Sequence, residues 1–143
     1  MKKVILFSIL VLVLSVSGYV YWFYYNPYSD GYREGLLQKF SRKGNILKTF
    51  EGEMVLVGFG ARNGNILNAN YFYFSVADRT LSDSLQMCMG KIVKLHYVQY
   101  RRSLPWRGED YGTLNSEKGQ YMVDQINSVN ETSPENLGFP LSK

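Results

Sequence analysis

The sequence predicts a mainly β protein that begins with a transmembrane helix, and three observations support this prediction. An apolar run without charges extends from Val4 to Tyr25. The rest of the chain contains several short runs of alternating apolar and polar residues, and its 12 tyrosines and 8 phenylalanines suit a half-buried sheet. One stretch, residues 78–90, instead repeats apolar residues every four positions, as a short helix does. The order strand, strand, strand, helix, strand, strand is that of a five-stranded OB-like barrel with a short helix between strands 3 and 4; an SH3-like barrel with a helical insertion is the alternative.

Composition restricts the chain to one ordinary domain without cysteine chemistry. Its 143 residues leave no room for a second domain after the apolar run. The formal charge is +4, and Lys2 and Lys3 supply two of the 16 basic residues, so the remaining charge is not a nucleic-acid signature. Cys88 is the single cysteine, which excludes an internal disulfide and a cysteine-based zinc site within one chain. We expect no metal and no cofactor.

Residues 1–25 are expected to form the membrane anchor. About 22 apolar residues at about 1.5 Å each span the hydrocarbon core of a bilayer. The aromatic residues at the far end fit the membrane interface, and Pro27 then ends the helix. The interface residues are Tyr21, Trp22, Tyr24 and Tyr25. The alternative is a cleaved signal peptide with a small-residue site near residues 15–18.

Topology follows from the charges on the two sides of this helix. Lys2 and Lys3 form a short tail that stays easily in the cytoplasm, whereas folded domains cross the membrane largely regardless of charge. We therefore predict a single-pass protein of the inner membrane with a cytoplasmic N-terminus and a periplasmic domain. The linker, residues 26–31, is short, so the domain should lie close to the lipid bilayer.

The barrel domain is expected to occupy residues 32–130. Leu36, Gln38 and Phe40 should share one face of the first strand, with Gly35 as a bulge, while Gly52 should bend the second strand. Thr80 or Ser82 is the expected N-cap of the helix, and Gly90 its end. The predicted strands are Tyr32–Phe40, Ile46–Val57, Tyr71–Ala77, Lys91–Tyr100 and Gln120–Val129, with a loop over residues 58–70 and a loosely ordered tail over residues 131–143.

Glu51 and Glu53 are the candidate catalytic pair. Their spacing on a strand places both carboxyl groups on one face about 7 Å apart, a separation compatible with acid/base work. Alternating charge on the solvated face of a hairpin is the commoner origin of this pattern, with Lys39 or Arg33 as cross-strand partners. His96 is interpreted as a hydrogen-bonded residue on a strand face, and Cys88 as part of the core.

The connection before the last strand contains the candidate interaction residues Trp106, Arg107 and Tyr111. Tryptophan and arginine are enriched where interfaces gain their energy, although Trp106 has the alternative of folding back over the open end of the barrel. Basic residues, together with the aromatic third strand, raise a second possibility, an OB-type site for nucleic acid or glycan. These basic residues are Arg42, Lys43, Lys91, Lys94, Arg101, Arg102 and Arg107.

The segments GYREGLLQKFSRKGNILKTFEGEM, FYFSV and GKIVKLHY resemble a family of small membrane-anchored proteins of Bacteroidetes-type bacteria. The resemblance extends over residues 29–129, and its most specific part is KFSRKGNILKTFEGE. Members of this family often carry the label 6-phosphogluconate dehydrogenase, which does not suit a chain without a GxGxxG turn or space for a dinucleotide fold. The resemblance implies an envelope location and no functional residues.

These observations favour a non-enzymatic accessory or interaction subunit of a larger membrane complex, with another envelope protein as its partner. An OB-type binder of nucleic acid or glycan is one alternative, although the near balance of charges makes nucleic acid the weaker ligand. A small hydrolase that uses Glu51 and Glu53 is the other alternative.

Overall fold

The computed structural model describes residues 2–44, 47–56, 70–115 and 119–131. The apolar N-terminus forms helix α1, Lys2–Val20, which continues as a π-helical turn, Tyr21–Tyr25. The turn ends where the Asn26 N–H donates to the Tyr21 carbonyl oxygen at 3.0 Å. Within the described ranges, Lys2–Tyr25 is the one helical segment long and apolar enough to cross a membrane, and no residue of its most apolar window is buried. Such a helix is compatible with a transmembrane anchor or a signal sequence.

Five strands follow, and their hydrogen-bonded order is closed on itself. β1 is long enough to pair through its first half with β4 and through its second half with β2, all antiparallel. β3 pairs antiparallel with β2 and, over Ser75 and Val76, parallel with β5. The order around the sheet is therefore β1-β2-β3-β5-β4 and back to β1. The strands are β1 Pro27–Lys43, β2 Thr49–Leu56, β3 Tyr71–Val76, β4 Ile92–Tyr100 and β5 Gln120–Asn130, and helix α2, Arg79–Met87, lies between β3 and β4 in the chain.

The interior of the closed sheet is filled by apolar side chains. Phe72 contacts Tyr121 edge to face with 5.4 Å between ring centroids, and Leu85 of α2 completes the core from one end. Cys88 packs against this core, as expected. The buried core residues are Leu37, Met54, Phe72, Phe74, Val76, Leu85, Val93, Leu95, Tyr121 and Val123.

Two expectations for the first strand are wrong. Residues 27–31 do not form a separate linker, because β1 begins at Pro27 and pairs there with Tyr100. In its pairing with β2, β1 is irregular between Leu37 and Lys39, not at Gly35, so the extra residue there is Gln38. This bulge reverses the side-chain alternation, and Leu37 and Phe40, rather than Leu36 and Gln38, face the core.

Glycine is needed for close approach at the two strand positions singled out in the sequence. Gly35 pairs with both Leu56 and Val93, where β1 changes partners, and a Cβ there would overlap the Val55 carbonyl. Gly52 lies beneath the Phe74 ring, which occupies the space of a side chain. Both glycines therefore allow close packing between neighbouring strands.

Helix α2 starts at a different cap from the expected ones. The Asp78 carboxylate, not Thr80 or Ser82, accepts the N–H of Leu81 at 2.9 Å, while Ser82 is buried and donates to the Asp78 carbonyl. Gly90 follows the helix with a positive φ of 78°, consistent with its expected role. The expected loop, residues 58–70, and tail, residues 131–143, lie outside the described residues except for Asn70 and Glu131.

Candidate functional site

The candidate site lies on the outer face of β1, β2 and β3. The strand register places Glu51 between Ser41 of β1 and Ser75 of β3, and Glu53 between Lys39 and Tyr73. Directly paired residues of antiparallel strands project to the same side of a sheet. The expected pairing of Lys39 with Glu53 is therefore present. Arg33, the other expected partner, instead lies over the rings of Phe72, Tyr97 and Tyr121, with 4.4 Å to the Phe72 centroid.

The connection between β4 and β5 folds over this outer face. Gly108 lies so close to Ser75 that a Cβ would overlap its side chain, and the Glu109 N–H donates to the Ser75 hydroxyl at 3.1 Å. Further along, the Asn115 side-chain amide accepts the Tyr73 N–H at 2.8 Å and donates to the Tyr73 carbonyl at 2.7 Å. Asn115 thus occupies the edge of β3 that β5 leaves unpaired, and it holds the connection on the sheet.

Gln120, at the start of β5, binds the first part of the same connection, residues 104–108. Its side chain is fully buried, donates to the carbonyls of Leu104 and Gly108, and accepts from Arg107 Nε at 2.5 Å. The Arg107 guanidinium stacks on the Tyr100 ring, 3.7 Å from its centroid. This network fixes the turn that carries Gly108 to Ser75.

Because of this cover, the prediction that Glu51 lies on a solvated face is wrong. Glu51 is 3% exposed, and its Oε2 accepts a hydrogen bond from the Ser75 hydroxyl at 2.6 Å. Burial raises the pKa of Glu51 above its ordinary value of 4.5, and the hydroxyls of Ser75, Thr49 and Tyr111 partly oppose this rise. Glu53, by contrast, is only half-buried.

Two buried oxygen atoms at this position, one of them in the Glu51 carboxyl group itself, make no hydrogen bond within the described part of the chain. They are Glu51 Oε1 and Ser41 Oγ, on residues that are paired across β1 and β2. The Thr49 and Tyr111 hydroxyls lie near enough to act on the pKa of Glu51, but not at hydrogen-bond distance from the unpartnered oxygen. Buried polar atoms are satisfied in the great majority of cases, so two orphans on adjacent strands are unusual.

A cleft of about 100 Å³ opens at this position. Tyr73 and Tyr111 form an aromatic wall with 5.6 Å between their centroids, and Tyr71 extends the row at 6.2 Å from Tyr73. Two lysines, two glutamates and Ser41 supply the polar groups. The lining residues are Lys39, Ser41, Lys43, Glu51, Gly52, Glu53, Tyr73, Tyr111 and Leu114.

The three predicted interaction residues do not form one surface. Trp106 is 60% exposed, Arg107 is half-buried in the Gln120 network, and Tyr111 is 8% exposed within the cleft wall. Burial also raises the pKa of the Tyr111 hydroxyl. Of the three, Tyr111 belongs to the cleft and Trp106 is open to solvent.

The predicted membrane-interface residues lie next to the β domain. Tyr21, Trp22 and Tyr25 are exposed, whereas Tyr24 is half-buried. The Tyr24 carbonyl accepts Arg107 Nη1 at 2.9 Å. The Arg101 guanidinium lies 5.6 Å from the Trp22 ring centroid and 5.1 Å from that of Tyr28. The end of the N-terminal helix is therefore held against the domain by two arginines.

His96 is hydrogen-bonded on a strand face. Its Nδ1 lies 2.6 Å from Asp124 Oδ1, and its Nε2 lies 3.6 Å from Asp30 Oδ2. The hydrogen bond to Asp124 is the main cause of a raised pKa of His96. Among the residues that the structure describes, no three His, Cys, Asp or Glu side chains are grouped to hold a metal ion.

Several of the basic residues contact different parts of the domain. Lys91 pairs with Glu131 at 2.7 Å, and Lys94 lies 5.7 Å from the Tyr32 ring centroid. Only Lys43 of the seven basic residues named above lines the cleft.

Three residues of the site, Ser41, Asn115 and Gln120, were not predicted from the sequence, because no local sequence pattern marks them. Ser75 did have a recognisable sequence signal, because it is a small polar residue inside the aromatic run of β3.

Comparisons with protein-family models, with curated proteins and with solved structures give no match to this chain. The resemblance to a Bacteroidetes-type envelope family stays a prediction.

Proposed function

We propose that this chain is a single-pass envelope protein whose OB-type barrel acts as a non-enzymatic binding subunit of a larger membrane complex. The observation that carries the proposal is the cleft on β1, β2 and β3, where aromatic and charged side chains surround buried oxygen atoms that have no hydrogen-bond partner among the described residues. Pockets with an apolar wall and a few placed polar groups are typical of binding sites.

The strand order supports the OB-type assignment over the SH3-like alternative. OB-type barrels follow the order β1-β2-β3-β5-β4 with a helix between β3 and β4, as this chain does. They bind ligands on the face of strands 2 and 3, between the β1–β2 loop and the β4–β5 loop. The cleft lies on this face, with Lys43 at the start of the first loop and Tyr111 in the second.

Contacts of the helix end with the domain support a retained anchor. A cleaved signal peptide has no reason to engage the mature domain, whereas Arg107 binds the Tyr24 carbonyl and Arg101 contacts Trp22. We propose that Lys2 and Lys3 stay in the cytoplasm and that the barrel lies in the periplasm, beside the inner membrane.

Two measurements in the native cell test this location. N-terminal sequencing of the membrane-bound protein should find residues 2–25 retained, and a mature N-terminus near residue 18 would contradict the anchor. Added protease should degrade the barrel once the outer membrane is permeabilised, with a cytoplasmic enzyme as the protected control. A barrel that survives this treatment but is degraded after lysis would be cytoplasmic.

Site-specific photo-crosslinking in cells tests the role as a subunit. A photoreactive residue at Tyr71 or Leu114, exposed by 37% and 58% beside the cleft, should give a discrete adduct with a membrane or envelope protein. The matched control is Gln86, which is exposed on α2 and outside the cleft lining. Equal labelling at all three positions, or no adduct at Tyr71 and Leu114, would argue against the proposed role.

Hydrolysis is a second candidate function, favoured by the different environments of Glu51 and Glu53. One carboxyl group with a raised pKa beside a more solvated one is a pattern of acid/base pairs. Turnover of chromogenic glycosides or esters by the wild-type protein, abolished in the E51Q/E53Q double variant, would support this candidate. Absence of turnover in both proteins would leave binding as the function.

A further inference from the structure

We propose that the Glu51 cleft binds a neutral saccharide ring, an inference that rests on the proposed function and names the ligand class of its binding face. The inference is based on the two oxygen atoms of the cleft that lack hydrogen-bond partners among the described residues. Glu51 Oε1 and Ser41 Oγ are both buried and unpartnered among the described residues, and both residues line the cleft. Leaving such atoms unsatisfied is costly, and a bound group that pairs with them removes the cost.

The chemistry of these two atoms restricts the ligand. A serine hydroxyl both donates and accepts, while a carboxyl oxygen accepts when ionised and can donate when protonated. A ligand that satisfies both residues in either protonation state of Glu51 needs groups that donate and accept. Neighbouring hydroxyl groups on a sugar ring have this property.

The aromatic wall fits the other surface of a sugar. Tyr73 and Tyr111 line the cleft with their rings 5.6 Å apart, and Tyr71 continues the row toward solvent. Tyrosine combines an apolar ring with a polar tip, so it can pack against the C–H face of a saccharide while hydroxyl groups bond elsewhere. A cleft of about 100 Å³ accommodates part of one ring, and further rings of a chain would lie along Tyr71.

The charges of the cleft favour a ligand without net charge. Lys39 and Lys43 stand beside Glu51 and Glu53, so an anion meets carboxylates and a cation meets lysines. Like charges placed together oppose binding, and this disfavours a nucleic-acid backbone and a strongly basic peptide. A neutral glycan meets no such repulsion.

Calorimetric titration of the full-length protein in detergent tests the inference. The probes are hexamers of β-1,4-linked glucose and of β-1,4-linked N-acetylglucosamine, with a twelve-residue oligothymidylate as the nucleic-acid alternative. We expect saturable binding of at least one oligosaccharide with little dependence on salt. Binding of the oligothymidylate alone, weakened by salt, would identify a nucleic-acid site and overturn the inference.

Ser41→Ala is the sharpest variant, because the hydroxyl that it removes makes no hydrogen bond within the described residues. The variant should therefore unfold like the wild type, yet bind the oligosaccharide about three- to tenfold more weakly, as expected for one lost hydrogen bond. Ser84→Ala on α2 is the matched control and should bind as the wild type does. Tyr73→Leu should also weaken binding, whereas Tyr32→Leu, outside the cleft, should not.

The outcomes separate this inference from the proposed function. If neither hexamer binds at millimolar concentration while the Tyr71 crosslink persists, the saccharide site is overturned and the subunit role stands. If a hexamer binds but Ser41→Ala and Tyr73→Leu leave its affinity unchanged, the saccharide binds elsewhere and the inference is again overturned. If binding follows the variants while no protein adduct forms, the saccharide site stands and the subunit role is overturned.

Discussion

Glu51 Oε2 accepts a hydrogen bond of 2.6 Å from the Ser75 hydroxyl, and the same hydroxyl accepts the backbone N–H of Glu109 at 3.1 Å. Ser75 thereby joins a buried carboxyl group on β2 to the connection that covers it. The Glu51 carboxyl group is therefore covered by the backbone of Gly108 and Glu109 and lies next to the cleft. Burial raises the pKa of Glu51, which makes the stability of the fold sensitive to the charge at this position.

The first prediction concerns the effect of pH on stability through Glu51. A raised pKa means that the folded protein binds more protons than the unfolded chain at pH values above 4.5. The free energy of unfolding should therefore fall as the pH rises from 4.5 through the raised pKa, with a slope of at most about 1.4 kcal/mol per pH unit. Denaturant titration in detergent at several pH values measures this slope.

Glu51→Gln should remove the slope in this window, because the amide does not titrate. Glu53→Gln is the matched control on the same strand and should retain the slope, because it leaves the Glu51 carboxyl group in place. Identical profiles of the wild type and Glu51→Gln would mean that Glu51 titrates normally in the folded protein.

The second prediction concerns Asn115, which replaces a missing strand partner beside β3. Asn115→Ala removes two hydrogen bonds to the Tyr73 backbone and leaves that edge unpaired. We expect a loss of about 1–3 kcal/mol in local or global stability. Hydrogen exchange at the Tyr73 amide should be accelerated.

Thr113→Ala, an exposed position in the same connection, is the control and should leave the exchange of Tyr73 unchanged. If the Tyr73 amide stays equally protected in Asn115→Ala, another group closes this edge of the sheet.

The sequence predicted the positions of the strands along the chain better than which side chains of each strand face the core. The density of aromatic residues located β3, and alternation located β4, each within one residue at each end. Alternation failed in β1, where the Gln38 bulge reverses it, so that Leu37 and Phe40 both face the core. No local sequence pattern predicts the β-bulge at Gln38.

The cleft around Glu51 could not be predicted from the sequence, because it also depends on tertiary contacts. Glu51 has the sequence pattern of a solvated strand residue, and its burial depends on a segment more than fifty residues away in the chain. That segment is fixed by Gln120 and Asn115, two polar residues whose partners are mainly backbone groups. Such contacts follow from the tertiary arrangement, and neither periodicity nor composition encodes them.

The third prediction concerns His96. The hydrogen bond to Asp124, aided by Asp30, raises the pKa of His96 above its ordinary value of 6.5. This pair should therefore stabilise the fold fully below pH 6.5, and the contribution should be lost as the pH rises through the raised pKa. The side chain of Asp124 is 53% exposed, so we expect only about 0.2–1 kcal/mol.

Asp124→Asn should abolish most of this pH dependence, and NMR titration of the His96 ring should give a lower pKa in the variant. Asp83→Asn, on the exposed side of α2, is the control and should leave the titration unchanged. A His96 pKa that is the same in the wild type and in Asp124→Asn would contradict the assigned pairing.

The last prediction concerns Arg107, which ties the end of the N-terminal helix to the β domain. Its guanidinium donates to the Tyr24 and Arg102 carbonyls and to Gln120, and stacks on Tyr100. Lysine cannot reproduce this fork, so Arg107→Lys should cost about 1.5–3 kcal/mol and accelerate hydrogen exchange over residues 21–28. The neighbouring Arg102→Ala is the control, because that side chain is exposed and the carbonyl that Arg107 uses is retained. If both variants exchange like the wild type over residues 21–28, the helix end is held by other contacts, such as those of Arg101 with Trp22 and Tyr28.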